Sequence, residues 1–102
     1  MNKKVEELVP LVDFLGTALG ASTEVVLHDL EDPEHSVVRI VNGEVSGRAV
    51  GAPATDFALK MAEQLEHSGD SFVSDYIATT ADGRPMQSSS YFIRDEGKIV
   101  GI

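Results

Sequence analysis

The chain reads as an α+β domain in which helices pack on an antiparallel sheet, and three observations predict it. A stripe of Val5, Leu8, Val9, Val12, Leu15 and Leu19 recurs at three- and four-residue steps, the spacing of an amphipathic helix with one buried side. Short β-rich runs bounded by turn residues lie on both sides of a second helical pattern. The resulting order is helix, two strands, an irregular region with a helix, and three strands, which needs one sheet with helices laid on it.

The first helix spans Lys3 to Leu19 and stops at Gly20. Pro10 lies inside it, where it removes a backbone bond, so a kink or two short helices are expected there. Glu24 to Leu30 reads as a strand, with Val25 and Leu27 on one face and Val26 and Leu30 on the other, ended by Glu31-Asp32-Pro33. Ser36 to Val41 is the second strand, and the short connection favours an antiparallel pair. Asn42-Gly43 is the strongest two-residue turn signal in the chain. Ser46 to Pro53 has little periodicity and should be irregular or a short helical turn.

The second helix should start at Thr55 or Asp56, either a good N-cap, bury Phe57, Ala58, Met61 and Leu65, and end by Gly69. Tyr76 to Thr80, Met86 to Arg94 and Lys98 to Ile102 then form a meander through turns at Asp82-Gly83 and Glu96-Gly97.

Composition narrows the function. A chain of 102 residues makes a single domain over residues 1–102. Eight basic against seventeen acidic residues give a net charge of −9, which lacks the footprint needed to neutralise phosphates. The absence of cysteine excludes disulfides, thiolate metal sites and a Cys nucleophile, and fits a reducing compartment. Glu6, Glu7 and Asp13 interrupt any signal-peptide core, and no run approaches the roughly 18 apolar residues of a membrane span. The chain is therefore expected to be cytoplasmic. It stops inside the apolar run Ile99-Val100-Gly101-Ile102, so it reads as a domain cut from a longer protein.

Several polar residues interrupt the apolar pattern. His28 shares a strand face with Val26 and Leu30, whereas Asp29 points the other way, so the two do not form a facing catalytic pair. His28 either lines a pocket or is a satisfied buried group; Asp29, beside the Asp32-Pro33 turn, is better read as satisfied by turn backbone. Gly47-Arg48-Ala49-Val50-Gly51 resembles an anion cradle but lacks the lysine and spacing of a phosphate loop, and Arg48 is as well explained by an internal ion pair. Ser88-Ser89-Ser90 puts small side chains mid-strand, leaving room for a ligand or for a close-packed helix, with Ser88, Ser90, Phe92 and Arg94 on one face and Ser89 and Tyr91 on the other. No G-x-S-x-G elbow is present. His28, His35 and His67 show no metal-ligand spacing. An enzyme would need His28 within reach of a serine hydroxyl.

The ordered set Glu24-Val25-Val26-Leu27-His28-Asp29-Leu30, Val41-Asn42-Gly43, Ser46-Gly47-Arg48, Gly51, Tyr76, Thr79-Thr80, Gly83-Arg84, Ser88-Ser89 and Phe92-Ile93-Arg94-Asp95 resembles the YheO-like PAS-domain family of bacterial transcriptional regulators over nearly the whole chain. The resemblance implies a PAS-like fold, a five-stranded antiparallel sheet flanked by helices. It also implies a C-terminal helix-turn-helix that binds DNA, which these residues do not contain, so any DNA contact lies outside them. No position is assigned to haem or flavin, and no cofactor is expected.

The implied role is a sensory domain that forms a homodimer and takes a small anionic or zwitterionic metabolite, with His28, Arg48, Ser89, Tyr91 and Arg94 as the expected ligand-binding residues. The alternatives are a ligand-free dimerisation module using the apolar stripe of the first helix and, least favoured, a small enzyme.

Overall fold

The computed structural model describes residues 1–80 and 82–102, without the side chains of Asp56 and Phe57. Its Cα radius of gyration is 12.8 Å. The burial expected for Phe57 lies outside the described residues.

The predicted first helix divides in two, α1 over Lys3–Glu6 and α2 over Val9–Leu19. Pro10 then stands in the first turn of α2, where a missing N–H costs nothing because that donor has no intrahelical acceptor. Asn2 caps α1 by accepting from the Lys4 N–H at 2.8 Å. Val5 and Val12 are buried beneath the two helices. Leu11, Phe14 and Leu19 are exposed, so α2 is apolar on more than its packed side.

Strand β1, Val25–His28, pairs antiparallel with β2, Val37–Val41, as the short connection predicted, with a register shift after Leu27. Asn42 then adopts left-handed backbone at φ 61°, a conformation asparagine tolerates well, but the chain enters a 3-10 turn at Gly43–Val45 rather than another strand. The Asn42 side-chain amide is shared among the carbonyls of Gly16, Gly20 and Thr23 at 3.1, 3.0 and 2.8 Å. The end of α2 is thereby tied to the end of β2.

Helix α3 covers Asp56–Leu65, and Thr55 caps it by accepting from the Ala58 N–H at 3.1 Å. The remaining strands are β3, Phe72–Thr79, β4, Pro85–Tyr91, β5, Ile93–Asp95, and β6, Lys98–Gly101. Strand β3 begins earlier than its sequence pattern predicts. Asp75, at φ 57° in a register shift, leaves Ser74 and Asp75 both exposed and hides the two-residue period.

The single five-stranded sheet is corrected to three antiparallel pairs, β1–β2, β3–β4 and β5–β6. The strand expected over Met86 to Arg94 divides at Phe92, whose N–H donates to the Ser71 carbonyl at 2.8 Å, one step beyond the Phe72–Tyr91 pair, before Ile93 pairs with β6. An Asp29–Gly101 bridge joins the first and third pairs. The His28 N–H donates to the Ile102 carbonyl at 2.8 Å, and the Leu30 N–H to that of Val100 at 2.9 Å.

Two cores lie on opposite sides of these ladders. One gathers Val5, Val12, Leu27, Ile93 and Val100 under α1 and α2, and the other Ala62, Phe92 and Ile99 under α3. Gly101 opposes Ile93 where the register slips, and a side chain there would meet the His28 carbonyl at 2.6 Å and Val5 at 2.8 Å. Gly16 is the matching close approach on the helical side, since a β-carbon on it would stand 2.5 Å from Val41 Cβ.

In an open helix Gly→Ala stabilises by about 1 kcal/mol. Gly16→Ala should instead destabilise this domain by about 1–3 kcal/mol, because Val41 Cβ is fixed to the β2 backbone and cannot swing aside. Urea unfolding of the two proteins measures the sign directly.

Candidate functional site

Strand alternation turns His28 toward the side of Leu30 and the α3 core, as its sequence position predicted. The ring is almost fully buried, and Nδ1 lies 2.8 Å from the Ser36 hydroxyl. Burial first, and then the positive charge of Arg48, push the His28 pKa down from 6.5 to about 4, with Glu24 acting in the opposite direction. His28 is therefore neutral near pH 7. The hydrogen-bond reach to a serine that an enzyme would require is present, but Ser36 is 0 % exposed and no substrate can approach its oxygen in this arrangement.

Arg48 closes a loop onto Glu24, at the start of β1. Its Nη2 donates to Glu24 Oε1 at 2.9 Å, its Nε to Ser46 Oγ at 3.2 Å, and the Ser46 N–H donates to Glu24 Oε2 at 3.0 Å. Glu24 is well covered and Arg48 partly so. The glycine-flanked segment thus wraps an internal carboxylate, which occupies the arginine fork.

Arg94 is committed to backbone. Nη1 donates to the carbonyls of Glu66 and Gly97 at 2.8 and 3.1 Å, and Nη2 to those of Leu65 and Asp70 at 2.8 and 3.1 Å. Two of these belong to the end of α3, whose last carbonyls have no intrahelical donor. Its Nε is buried without a partner among the described residues.

Ser89 and Tyr91 lie on the outward side of β4. Ser89 Oγ accepts from the Asp75 N–H at 3.3 Å, and Tyr91 is paired across the ladder with Phe72. The five expected residues therefore fall into three places: His28 with Arg48, Arg94 at the end of α3, and Ser89 with Tyr91 on the outer hairpin face. The inner side of the hairpin carries Ser88 and Ser90, one of the two faces the sequence offered, together with Tyr76 and Met86, which sequence reading did not single out; all four are half-buried. The Tyr76 hydroxyl meets Ser90 Oγ at 2.5 Å, and Val73, opposite Ser90, belongs to the α3 core. The alternation of Ser88 and Ser90 about Ser89 offered two faces, and the covered one is that of Ser88 and Ser90, opposite Tyr76 and opposite Val73 of the α3 core.

A shallow open depression of about 240 Å³, lined by Leu30, Glu31, Asp95, Glu96 and Lys98 with their neighbours, contains none of the five expected residues. Among the described residues no group of three or more His, Cys, Asp or Glu is placed to hold a metal ion. None of the described helices is long and apolar enough to cross a membrane.

The model of the YheO-like PAS domain matches residues 1–102. The chain belongs to the YheO-like PAS domain family. It is 37% identical over 93 residues to the uncharacterized protein YheO of Escherichia coli K12, covering 90% of this chain and 39% of that protein. Shigella flexneri has a YheO with the same identity and coverage. An uncharacterized protein of Haemophilus influenzae is 33% identical over 93 residues, again 90% of this chain and 41% of the relative. The chain thus spans about two fifths of the length of these relatives. No solved structure gives a significant match.

Two expectations follow from the geometry. The folded pKa of His28 lies below its unfolded value, so between pH 6.5 and about 4 the unfolded chain binds more protons and stability falls as the pH falls. The loss should reach on the order of 3 kcal/mol, and thermal melts across this range should show a shallower slope in His28→Asn. Arg94→Lys keeps the charge but cannot span four carbonyls, so it should cost about 2–3 kcal/mol in urea unfolding, with loss of α3 helicity by circular dichroism.

Proposed function

We propose that this chain is the cytoplasmic, N-terminal sensory domain of a bacterial transcriptional regulator, and that it reads a small molecule on the sheet side covered by α3. The observation that carries this reading is the unequal packing of the two sides. Under α1 and α2, Val5 and Leu27 are buried and glycines admit close contact. Under α3 only Ala62 of the helix's described side chains is buried, while Met61 and Leu65 stay half-buried above a sheet surface carrying hydroxyls and a thioether. A side with few buried apolar contacts opens at lower cost than a fully packed one, and a ligand that fills it shifts the balance.

The chemistry of that side revises the expected ligand. The Arg48 and Arg94 cations are already engaged by Glu24 and by backbone carbonyls, and the half-buried side chains on the inner side of the hairpin are Tyr76, Met86, Ser88 and Ser90, with the Tyr76 hydroxyl and Ser90 Oγ bonded to each other. These fit an uncharged molecule with one or two hydrogen-bonding groups better than the anionic or zwitterionic metabolite expected from sequence. With a net charge of −9 this segment repels DNA, so DNA contact is assigned to the part of the protein beyond the family match. A homodimer would carry the signal by changing the spacing of the attached DNA-binding parts. No catalytic role is proposed, since the buried His28–Ser36 pair has no access for a substrate.

A thermal-shift screen of metabolites sorted by charge tests the reading. Uncharged compounds should raise the melting temperature by several degrees at saturating concentration, and Ser90→Leu, which puts a bulky apolar side chain opposite Val73 of the α3 core, should abolish that response. A library without hits, or hits indifferent to Ser90→Leu, counts against it.

A further inference from the structure

We propose that the outward face of the β3–β4 hairpin is the surface on which two copies of this chain associate, an assignment that rests on the dimeric reading above and gives it a location. Tyr91 precedes Phe92, which enters the α3 core, and Ile93, which enters the core under α1 and α2, so alternation puts Tyr91 on the side of the N-terminal helices. Those helices lie over β1, β2 and β5 and leave this hairpin bare. Phe72, Ile77 and Tyr91 are 62%, 68% and 62% exposed. Phe72 and Tyr91 are cross-strand partners and make one aromatic surface.

Charge identifies the occupant. The chain carries seventeen acidic residues, yet among the described residues of β3 and β4 the only charged side chain on this face is Asp75, whose Oδ1 accepts from Gln87 Nε2 at 3.0 Å. The other outward positions of the hairpin are serine, threonine, glutamine and proline. A basic partner gains nothing from an uncharged face and would settle on acidic surface elsewhere. A second copy, itself at −9, meets least repulsion here. The left-handed Asp75 interrupts the regular ladder of β3, so copies should stack face to face instead of extending the sheet edge to edge. The exposed side chains offer roughly 500 Å² per copy, hence about 1,000 Å² in a two-fold pair, at the lower bound for a specific interface. Association should be weak and concentration-dependent, with a Kd in the micromolar range.

Sedimentation velocity of the 102-residue chain over a concentration series, with Ile77→Lys and Tyr91→Lys, tests this. Lysine lowers the net negative charge, so weakened association cannot be ascribed to greater long-range repulsion between copies and reports the charge placed in the contact itself. Each variant should raise Kd at least about tenfold while leaving the circular dichroism melt unchanged, because both sites are exposed. This result supports the proposal whether or not Phe14→Lys on α2 adds to it. A monomer at every concentration, or dissociation by Phe14→Lys alone, overturns it. The metabolite response is measured separately: a monomeric Ile77→Lys that still responds keeps the sensory reading, and a wild-type chain that dimerises through this face but never responds tells against the sensor alone.

Discussion

Everything else in the domain depends on the junction where the end of β1 meets β6. The β1–β2 pair and the β5–β6 pair are separate ladders until the backbones of His28 and Leu30 bond those of Ile102 and Val100. Gly101 makes the junction dense enough to hold, because Val5 and the His28 carbonyl occupy the space a side chain would need. Val5 is fully buried there, so α1 is seated by the same contact that joins the strands. Asp29 adds a polar latch, accepting from the Asn2 N–H at 2.9 Å and the Glu31 N–H at 3.0 Å.

This junction divides the molecule into a stiff side and a yielding one. The stiff side is pinned by α2, whose end is fastened through Asn42. The other side is spanned by α3, held at its beginning by the Ala54 N–H, which donates to the Pro33 carbonyl at 2.9 Å, and at its end by Arg94. A cover attached at both ends can bow without detaching, which suits reversible admission of a small molecule better than a packed core does.

The order of elements was legible in the sequence because helical and strand periods are strong over α2, β1 and β2. The antiparallel pairing followed from the short connection at Pro33. What remained hidden has local causes. The division at Phe92 is a change of partner, since the Phe92 N–H carries the β3–β4 ladder one pair further to Ser71 while Ile93 opens the pair with β6, and no local pattern encodes it. The early start of β3 was masked by a bulge. Of the residues expected to bind a ligand, Arg48 and Arg94 were chosen for the chemistry an arginine can do, but sequence does not reveal that Glu24 and four carbonyls already use it. Asp29, by contrast, was read as satisfied by turn backbone, and it accepts from Glu31 in that turn.

The Arg94 clamp also bears on how the domain can change over evolutionary time. All four of its acceptors are main-chain carbonyls, of Leu65, Glu66, Asp70 and Gly97, and every amino acid supplies the same atom there. The clamp itself therefore asks nothing of the side chains at 65, 66, 70 and 97. The constraint on 65–70 thus falls on shape, kept by Leu65 in the α3 core, the Ser68 hydroxyl and the left-handed Gly69, while Arg94 reads only the main chain.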